Sequence, residues 1–297
     1  MEDLIAPIFR GLGQGSVLAL LALGFVVIYR ATDVVNFAQP TLMIIGAYFT
    51  SLYVQSFELP FVVGVAAAMV TMAAVSALIE RVALRPMVGQ PVFSAAMVTV
   101  GIFFALLVLA GRLIPQPIFM GDPWGLERFN LLGASVFVAD AWKIVITVVA
   151  FGVVGLFLAK SRTGLAMRAT SLDQETAMSQ GINVGRMFGL AWTISGALAA
   201  LAGMLVGTGG AGVEASTAFV ALKALPVIIL GGLDSIKGAL IGGLIIGVAE
   251  AVTRSYAGTL SPILGANVDI VVSYLIMIAV LMVRPYGLFG TPEVQRV

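Results

Sequence analysis

Long apolar runs without charged residues alternate with short polar connections along almost the whole chain. A helix needs about 20 mostly apolar residues to cross a bilayer. Runs of that size occur at Gly11–Tyr29, Asn36–Phe57, Leu59–Ile79, Val92–Gly111 and Met187–Thr208. The runs Ile144–Ala159 and Ile270–Val283 reach the same length once a turn on the N-terminal side of each is included. The pattern is typical of a chain that crosses a membrane many times.

A pair of shorter apolar segments lies between the runs Met187–Thr208 and Ile270–Val283. It consists of Thr217–Leu233 and Gly238–Val252, joined by the polar residues 234–237. Counted as two spans, the pair completes an all-α, polytopic membrane helical bundle of about nine transmembrane helices. Hydropathy leaves open a bundle of eight helices plus a re-entrant hairpin, in which residues 217–252 do not span twice.

Composition supports a membrane protein and excludes several kinds of chemistry. Hydrophobic residues make up 60% of the 297 residues and charged residues only 10%, against roughly 45–50% and about 25% in soluble domains. We therefore expect residues 1–297 to form a single membrane domain. Cysteine and histidine are absent, which excludes thiol redox sites, Cys or His metal ligation and a Ser-His-Asp triad. The acidic residues are scattered singly, so we expect neither a catalytic site nor a metal site.

The distribution of charge predicts an orientation and argues against nucleic acid as a partner. The net charge of the chain is +1, too small for a nucleic-acid-binding surface. With residues 160–187 placed in the cytoplasm, the connections on that side carry ten Lys and Arg residues and those on the outer side carry five. Positive charge favours the cytoplasmic side. The N-terminus is therefore expected outside and the C-terminus inside.

Glycine patterns in the chain indicate packing rather than nucleotide binding. Small residues four positions apart, such as Gly203 with Gly207 and Gly243 with Gly247, allow membrane helices to approach closely. Residues 207–212 match GxGxxG, but they follow a membrane helix rather than a strand, so we interpret them as a turn. The sequence contains no GxxxxGK[ST] motif. We therefore expect no ATP to bind through a P-loop in this chain.

Residues 160–187 form the longest polar connection and contain signals for a short helix. Ser171 with Gln174 fits a capping box and Gly181 fits a C-terminal stop, which together predict a helix over Leu172–Gln180. So short a helix is marginal in water alone. We expect it either to lie on its own bundle or to be held out for a cytoplasmic partner.

The motifs of this loop, together with three others, resemble those of the branched-chain amino acid ABC permease family of the LivH type. The loop carries SRTGLAMRA at 161–169, Ala177 and GINV at 181–184. The other motifs are GSVLAL at 15–20 with ALG at 22–24, LKA at 222–224 with LGGL at 230–233 and GA at 238–239, and RPYGLFG at 284–290. The four occur in the family's order, and the match extends over the whole chain.

The resemblance implies a multi-pass permease of the bacterial inner membrane that acts in an ATP-driven importer. It implies a second permease subunit, identical or homologous, two cytoplasmic ATPase subunits that hold ATP and Mg²⁺, and an external substrate-binding protein. In that family the loop 160–187 forms the coupling helix that contacts the ATPase, which makes Arg168, Asp173, Glu175 and Gly181 candidate coupling residues. The implied cargo is a branched-chain or related small amino acid.

One departure from the family leaves other cargoes open. After the first span the family usually has Asn-Phe-Ala-His-Gly, whereas this chain has Asn36, Phe37, Ala38, Gln39 and Pro40. Gln39 keeps a hydrogen-bonding side chain that does not titrate, and proline suits a helix break or first turn. Urea, short amides and aromatic acids therefore remain alternatives. An ion-coupled secondary transporter is a less favoured reading, because such proteins normally need titratable groups within the membrane.

Two pairs of polar residues within apolar runs are candidates for specific roles. Asn36 and Gln39 begin a predicted span, and unsatisfied polar groups are costly in hydrocarbon, so we predict that they line the translocation path. The alternative is that they cap the helix or reach interfacial water. Lys223 and Glu250 lie at similar depths on consecutive antiparallel helices, and we predict a structural ion pair between them that braces the outer gate rather than binding cargo. The alternative is that Lys223 extends to the interface and Glu250 sits in water.

Overall fold

The computed structural model describes residues 2–131, 133–258 and 268–291, and their regular structure is almost entirely helical. The helices are α1 Glu2–Thr32, α2 Gln39–Ser51, α3 Phe61–Ile79, α4 Val92–Leu113, α5 Val138–Lys160, α6 Arg162–Leu172, α7 Gln174–Ser179, α8 Val184–Val206, α9 Thr217–Ala221, α10 Ala224–Gly231, α11 Ile236–Ser255 and α12 Val268–Val283. The strands β1 Arg128–Leu131 and β2 Ala134–Phe137 pair antiparallel, with Arg128 opposite Phe137. The all-α reading of the sequence missed this small hairpin.

Six helices within the described residues are long and apolar enough to cross a membrane. They are Leu4–Thr32, Phe61–Met87, Val92–Leu113, Val138–Lys160, Val184–Val206 and Ile236–Ser255. Thr217–Gly231 and Val271–Val283 are shorter apolar helices. Helix α2 continues through a π-helical turn, Leu52–Ser56, and α3 continues through Glu80–Leu84 and Arg85–Met87. The protein is therefore a helical membrane protein, as the hydropathy pattern predicts.

Helix α1 lies at the centre of the bundle and packs directly on the backbone of α11. A Cβ atom added to Gly15 would lie 2.5 Å from the carbonyl oxygen of Gly243, and one added to Gly243 would lie 2.5 Å from the Cβ of Ala19. Gly247 contacts Gly15 in the same way. Because real Cβ atoms do not approach other atoms this closely, glycine is required for the two helices to touch.

Helix α8 makes the corresponding contacts with α2 and α3. A Cβ on Gly46 of α2 would lie 2.5 Å from the Cα of Ala200, and one on Gly196 would lie 2.6 Å from the Cβ of Ser76 on α3. Helices α4 and α5 pack more loosely, and their outward side chains include Phe93, Val108 and Val148, all more than half exposed. These apolar faces are suited to contact with lipid.

The bundle has two distinct ends. The loop end carries residues 160–187, the start of α11 and the C-terminal residues 284–291, whose Leu288 N donates to Leu230 O at 2.8 Å. The hairpin end carries β1–β2, where the ring of Phe129 contacts that of Phe9 at 6.0 Å between centroids. The GxGxxG residues 207–212 also lie there, where Gly209 and Gly210 adopt positive φ in the connection after α8.

Candidate transport and coupling sites

The centre of the bundle contains a helix break between α1 and α2. After α1 ends at Thr32 the chain is non-helical through residues 33–38, and Asp33 adopts φ 58°. The chain then turns back, so that α2 begins at the level of Gly24 of α1 and Ser195 of α8, where Pro40 occupies its first turn. Since Ser195 is the twelfth of the 23 residues of α8, α2 begins about halfway across the bundle.

Asn36 and Gln39 are fully buried at this break and are hydrogen-bonded within the chain. Asn36 Nδ2 donates to Gln39 Oε1 at 3.2 Å, and Gln39 Nε2 donates to the carbonyl of Ser195 at 3.2 Å. The Ser195 hydroxyl lies 2.8 Å from Gln39 Oε1 and 3.0 Å from the carbonyl of Gly24. Phe37 N donates to Thr99 Oγ1 of α4 at 3.0 Å. Gln39 therefore joins α2 to α8, and Ser195 in turn joins α8 to α1. No signal in the sequence pointed to Ser195 as the partner of Gln39.

The structure brings Lys223 and Glu250 together near the hairpin end. Lys223 lies at the break between α9 and α10, and its Nζ is 2.8 Å from Oε2 of Glu250 on α11. The residues are 6% and 4% exposed. The hydroxyl of Ser273 on α12 donates to the other oxygen of the same carboxylate. Ser273 was not identified from the sequence, where a single serine in an apolar run carries no signal.

A cavity of about 310 Å³ adjoins this ion pair. Its walls come from α1, the start of α5, the end of α8 with the following turn, α9 and the end of α11. A second ion pair lies in its wall, because Lys143 Nζ is 3.1 Å from Asp140 Oδ1. Neither Asn36 nor Gln39 lines this cavity.

At the loop end, side-chain caps hold two short helices in a fixed arrangement. Ser161 Oγ accepts from Gly164 N at 2.8 Å to begin α6, and Asp173 Oδ1 accepts from Thr176 N at 2.9 Å to begin α7. Gly181, at φ 81°, ends α7 as predicted. The predicted single helix over Leu172–Gln180 with Ser171 as its cap is wrong. Ser171 Oγ donates to Arg168 O inside α6 instead, which leaves the extended Asp173 to cap the next helix.

The candidate coupling residues occupy different positions on these helices. Asp173 and Glu175 are exposed, whereas Arg168 is half-buried and lies close enough to Arg30 of α1 to interact with it electrostatically. Large apolar side chains of the same loop are exposed, with Leu165 at 62% and Leu172 at 87% on α6 and Met178 at 52% on α7. Exposed apolar residues grouped on two short helices are typical of a surface that binds another protein.

An ion pair missed in the sequence anchors the start of α8 to α3. Arg85 forms two bonds to the carboxylate of Glu80, at 3.2 and 3.0 Å, and its Nη2 donates to Gly185 O at 2.9 Å. Glu80 is only 1% exposed, and charge-assisted paired bonds of this kind are strong. Within the described residues, no group of three or more Asp, Glu, His or Cys side chains could hold a metal ion.

The bundle, its central helix break and the capped loop define a polytopic membrane protein of the transport class. A family model described as "Branched-chain amino acid transport system / permease component" matches residues 7–281. The chain belongs to this family, and it is a permease subunit of an ABC importer.

Curated relatives agree with this assignment over nearly the full length of the chain. The chain is 32% identical to the high-affinity branched-chain amino acid transport system permease protein LivH of Escherichia coli K12, over 99% of this chain and 97% of the relative. It is 31% identical to the corresponding permease BraD of Pseudomonas aeruginosa, over 99% and 98%. A probable LivH permease of Methanocaldococcus jannaschii is 32% identical, over 93% and 89%.

Proposed function

We propose that this chain is the channel-forming permease of an importer for branched-chain or related small amino acids. It would act with a second permease subunit, two cytoplasmic ATPase subunits that hold ATP and Mg²⁺, and an external substrate-binding protein. The names of the relatives support the cargo. The observation that carries the proposal from this chain itself is the capped loop of α6 and α7, whose exposed apolar residues are suited to a partner.

We infer about nine membrane crossings, with the N-terminus outside and the C-terminus in the cytoplasm. Six would be the long helices. The other three would be α2 with its π-helical extension, α9 with α10, and α12. The excess of Lys and Arg in the connections at the loop end supports placing that end in the cytoplasm. The cavity beside Lys223 and Glu250 then lies toward the outside.

Coupling to ATP hydrolysis is proposed to pass through the loop 160–187. Asp173 and Glu175 are exposed on it, and its first helix α6, which carries Arg168, packs against α1. Gly181 fixes the turn that leads from α7 toward α8. A force on α7 would therefore act on α1 and α8, the two helices that hold the central break.

Asn36 and Gln39 are proposed to line the translocation path when the bundle changes state. Irregular backbone within a membrane protein is tolerated where it is buried in protein or lines a cavity. Here the break is buried and its polar groups are paired, which fits a closed position of the path. Rearrangement of α2 against α8 would expose the same carboxamides to cargo.

The proposal is tested by reconstituting the complete importer in proteoliposomes. We expect uptake of labelled L-leucine to require ATP on the ATPase side of the membrane and the binding protein on the other side. Ionophores should not abolish this uptake. Competition with urea, acetamide and benzoate tests the alternative cargoes. Uptake driven by a proton or sodium gradient without ATP would contradict the proposal and favour a secondary transporter.

A further inference from the structure

The lining of the cavity at the hairpin end combines apolar and charged side chains. The apolar residues include Val17, Leu18, Leu205 and Val220. Six lining residues are charged: Arg10, Asp140, Lys143, Lys223, Glu250 and Arg254. Its volume of about 310 Å³ falls at the lower end of the range for small-molecule sites. A ligand that fits it should therefore be small, with an apolar part and a charged part.

A bracing role alone is a weak explanation for the buried ion pair in the cavity lining. Replacing a buried ion pair by apolar residues of similar size is often neutral or stabilising, so the pair is a poor means of holding helices together. Ionisable groups within spans are rare and commonly mark substrate pathways. Lys223 and Glu250 adjoin a cavity large enough for a ligand, which gives the pair a use that packing does not supply.

The Lys223–Glu250 pair is arranged to accept a zwitterionic ligand. The bond to Glu250 Oε2 uses one of the three donors on Lys223 Nζ, and the bond from Ser273 orients the other carboxylate oxygen. The ammonium and carboxylate of an α-amino acid are separated by one carbon atom, so they can lie antiparallel against this pair. The ligand's carboxylate would then face Lys223 and its ammonium would face Glu250.

We propose that this cavity binds the zwitterion of an α-amino acid. The Lys223–Glu250 pair would hold its charged groups, and the lining residues Val17, Leu18 and Val220 would contact its side chain. This inference takes its ligand class from the proposed function and adds the site. A dipolar ligand adds one charge of each sign, so the buried charge stays balanced. Urea and short amides carry no charge, so they gain only hydrogen bonds from the pair and no charge pairing. The cavity lining carries four cationic and two acidic side chains, and this excess of positive charge also attracts the carboxylate of the ligand.

The absence of native cysteine allows a direct test by site-specific labelling. Val220 lines the cavity and is 53% exposed, so Val220→Cys places a thiol there that a reagent can reach; Ser216→Cys places one on the exposed surface outside the cavity. The full importer is held in nanodiscs without ATP or binding protein, and its reaction with an uncharged maleimide is followed. L-leucine at about ten times its half-protecting concentration should slow labelling of Val220→Cys about tenfold, since few sites are then free. Labelling of Ser216→Cys should not change.

Analogues and variants separate charge recognition from simple occlusion. Urea should not protect Val220→Cys. The acid 4-methylpentanoate and the amine 3-methylbutylamine each lack one charged group and should slow labelling by less than about twofold, because each leaves one member of the pair unmatched. Lys223→Met combined with Glu250→Gln should abolish protection by leucine, whereas Lys223→Arg should retain it. Labelling of Ser216→Cys in each variant reports that the protein is folded and inserted.

Each result either supports or overturns the site. Equal protection by urea, protection of Ser216→Cys, or leucine protection that survives the double replacement would overturn it. Uptake of leucine by the importer without any protection of Val220→Cys would refute the cavity site and leave the proposed function standing. Protection of Val220→Cys by leucine without ATP-driven uptake would support the cavity site and refute the proposed function.

Discussion

Replacing Gln39 by alanine tests whether the carboxamides at the central helix break hold the bundle together. The side chain of Gln39 accepts from Asn36 Nδ2 and donates to the carbonyl of Ser195, both at 3.2 Å. The Ser195 hydroxyl has one proton and lies near both Gln39 Oε1 and Gly24 O, so it can bond to Gly24 when Gln39 is lost. Two bonds therefore disappear, and Asn36 Nδ2 loses its partner in the interior.

The magnitude follows from these losses. Hydrogen bonds between membrane helices contribute about 0.6 kcal/mol on average and up to about 1.7 kcal/mol. A buried donor left without a partner adds about 1–3 kcal/mol. The Gln39→Ala substitution should therefore reduce the free energy of unfolding by about 2–6 kcal/mol. At about 2–4 °C per kcal/mol, which applies to domains of about 150–250 residues, this lowers Tm by at least about 4 °C.

The assay is thermal unfolding of the purified protein at a fixed heating rate, with Gln55→Ala as the matched control. Gln55 follows on the same helix and donates to Phe119 O, but it is exposed, so its loss should change Tm little. Uptake is measured on the folded fraction. Equal Tm values for the two variants would refute the reasoning about the break. Unchanged uptake rate and apparent affinity would remove Gln39 from the translocation path.

Three further predictions concern the ion pair, the orientation and the coupling loop. Lys223→Glu and Glu250→Lys should each destabilise the protein by at least about 3–5 kcal/mol, because each removes the ion pair and places two like charges together in the interior. The double exchange should recover part of the loss in assembly and uptake, and simple additivity of the two single defects would count against the pair. A thiol at Ser179→Cys should react only from the cytoplasmic side and one at Ser216→Cys only from outside. Labelling of both from one side would contradict the proposed orientation. Arg168→Glu should reduce substrate-stimulated ATP hydrolysis while insertion stays normal, and unchanged stimulation would exclude its role in coupling.

Much of the fold follows from hydropathy, because lipid imposes the same requirement on every span. The predicted run Val92–Gly111 lies within α4, Val92–Leu113, and Leu59–Ile79 nearly coincides with α3, Phe61–Ile79. The hairpin of β1 and β2 lies outside the long apolar runs, where this signal is absent. Its two short strands depend on pairing with each other, which no single run reveals.

The sites were less predictable, since they depend on contacts between distant parts of the chain. The prediction that Lys223 pairs with Glu250 came from the depths of the two residues alone. Ser273 could not be identified as a partner of Glu250, because many hydroxyl residues occur in the spans. Ser195 lies 156 residues from Gln39. In the loop 160–187 both Ser171 and Asp173 are suitable caps, and the backbone conformation decides between them. Asp173 is extended at φ −161°, as a cap requires, whereas Ser171 lies within α6.

The backbone contact between α1 and α11 has a mechanical consequence. At Gly15 and Gly243 the two backbones touch without a long side chain between them, so few rotamer changes can absorb a displacement of one helix against the other. We therefore expect α1 and α11 to move as one rigid unit. Near one end of this unit α1 contacts α6 of the loop 160–187, and toward the other end α11 carries Glu250. A displacement of α6 would then be transmitted to the cavity lining, and relative motion would fall between this unit and the helices packed around it.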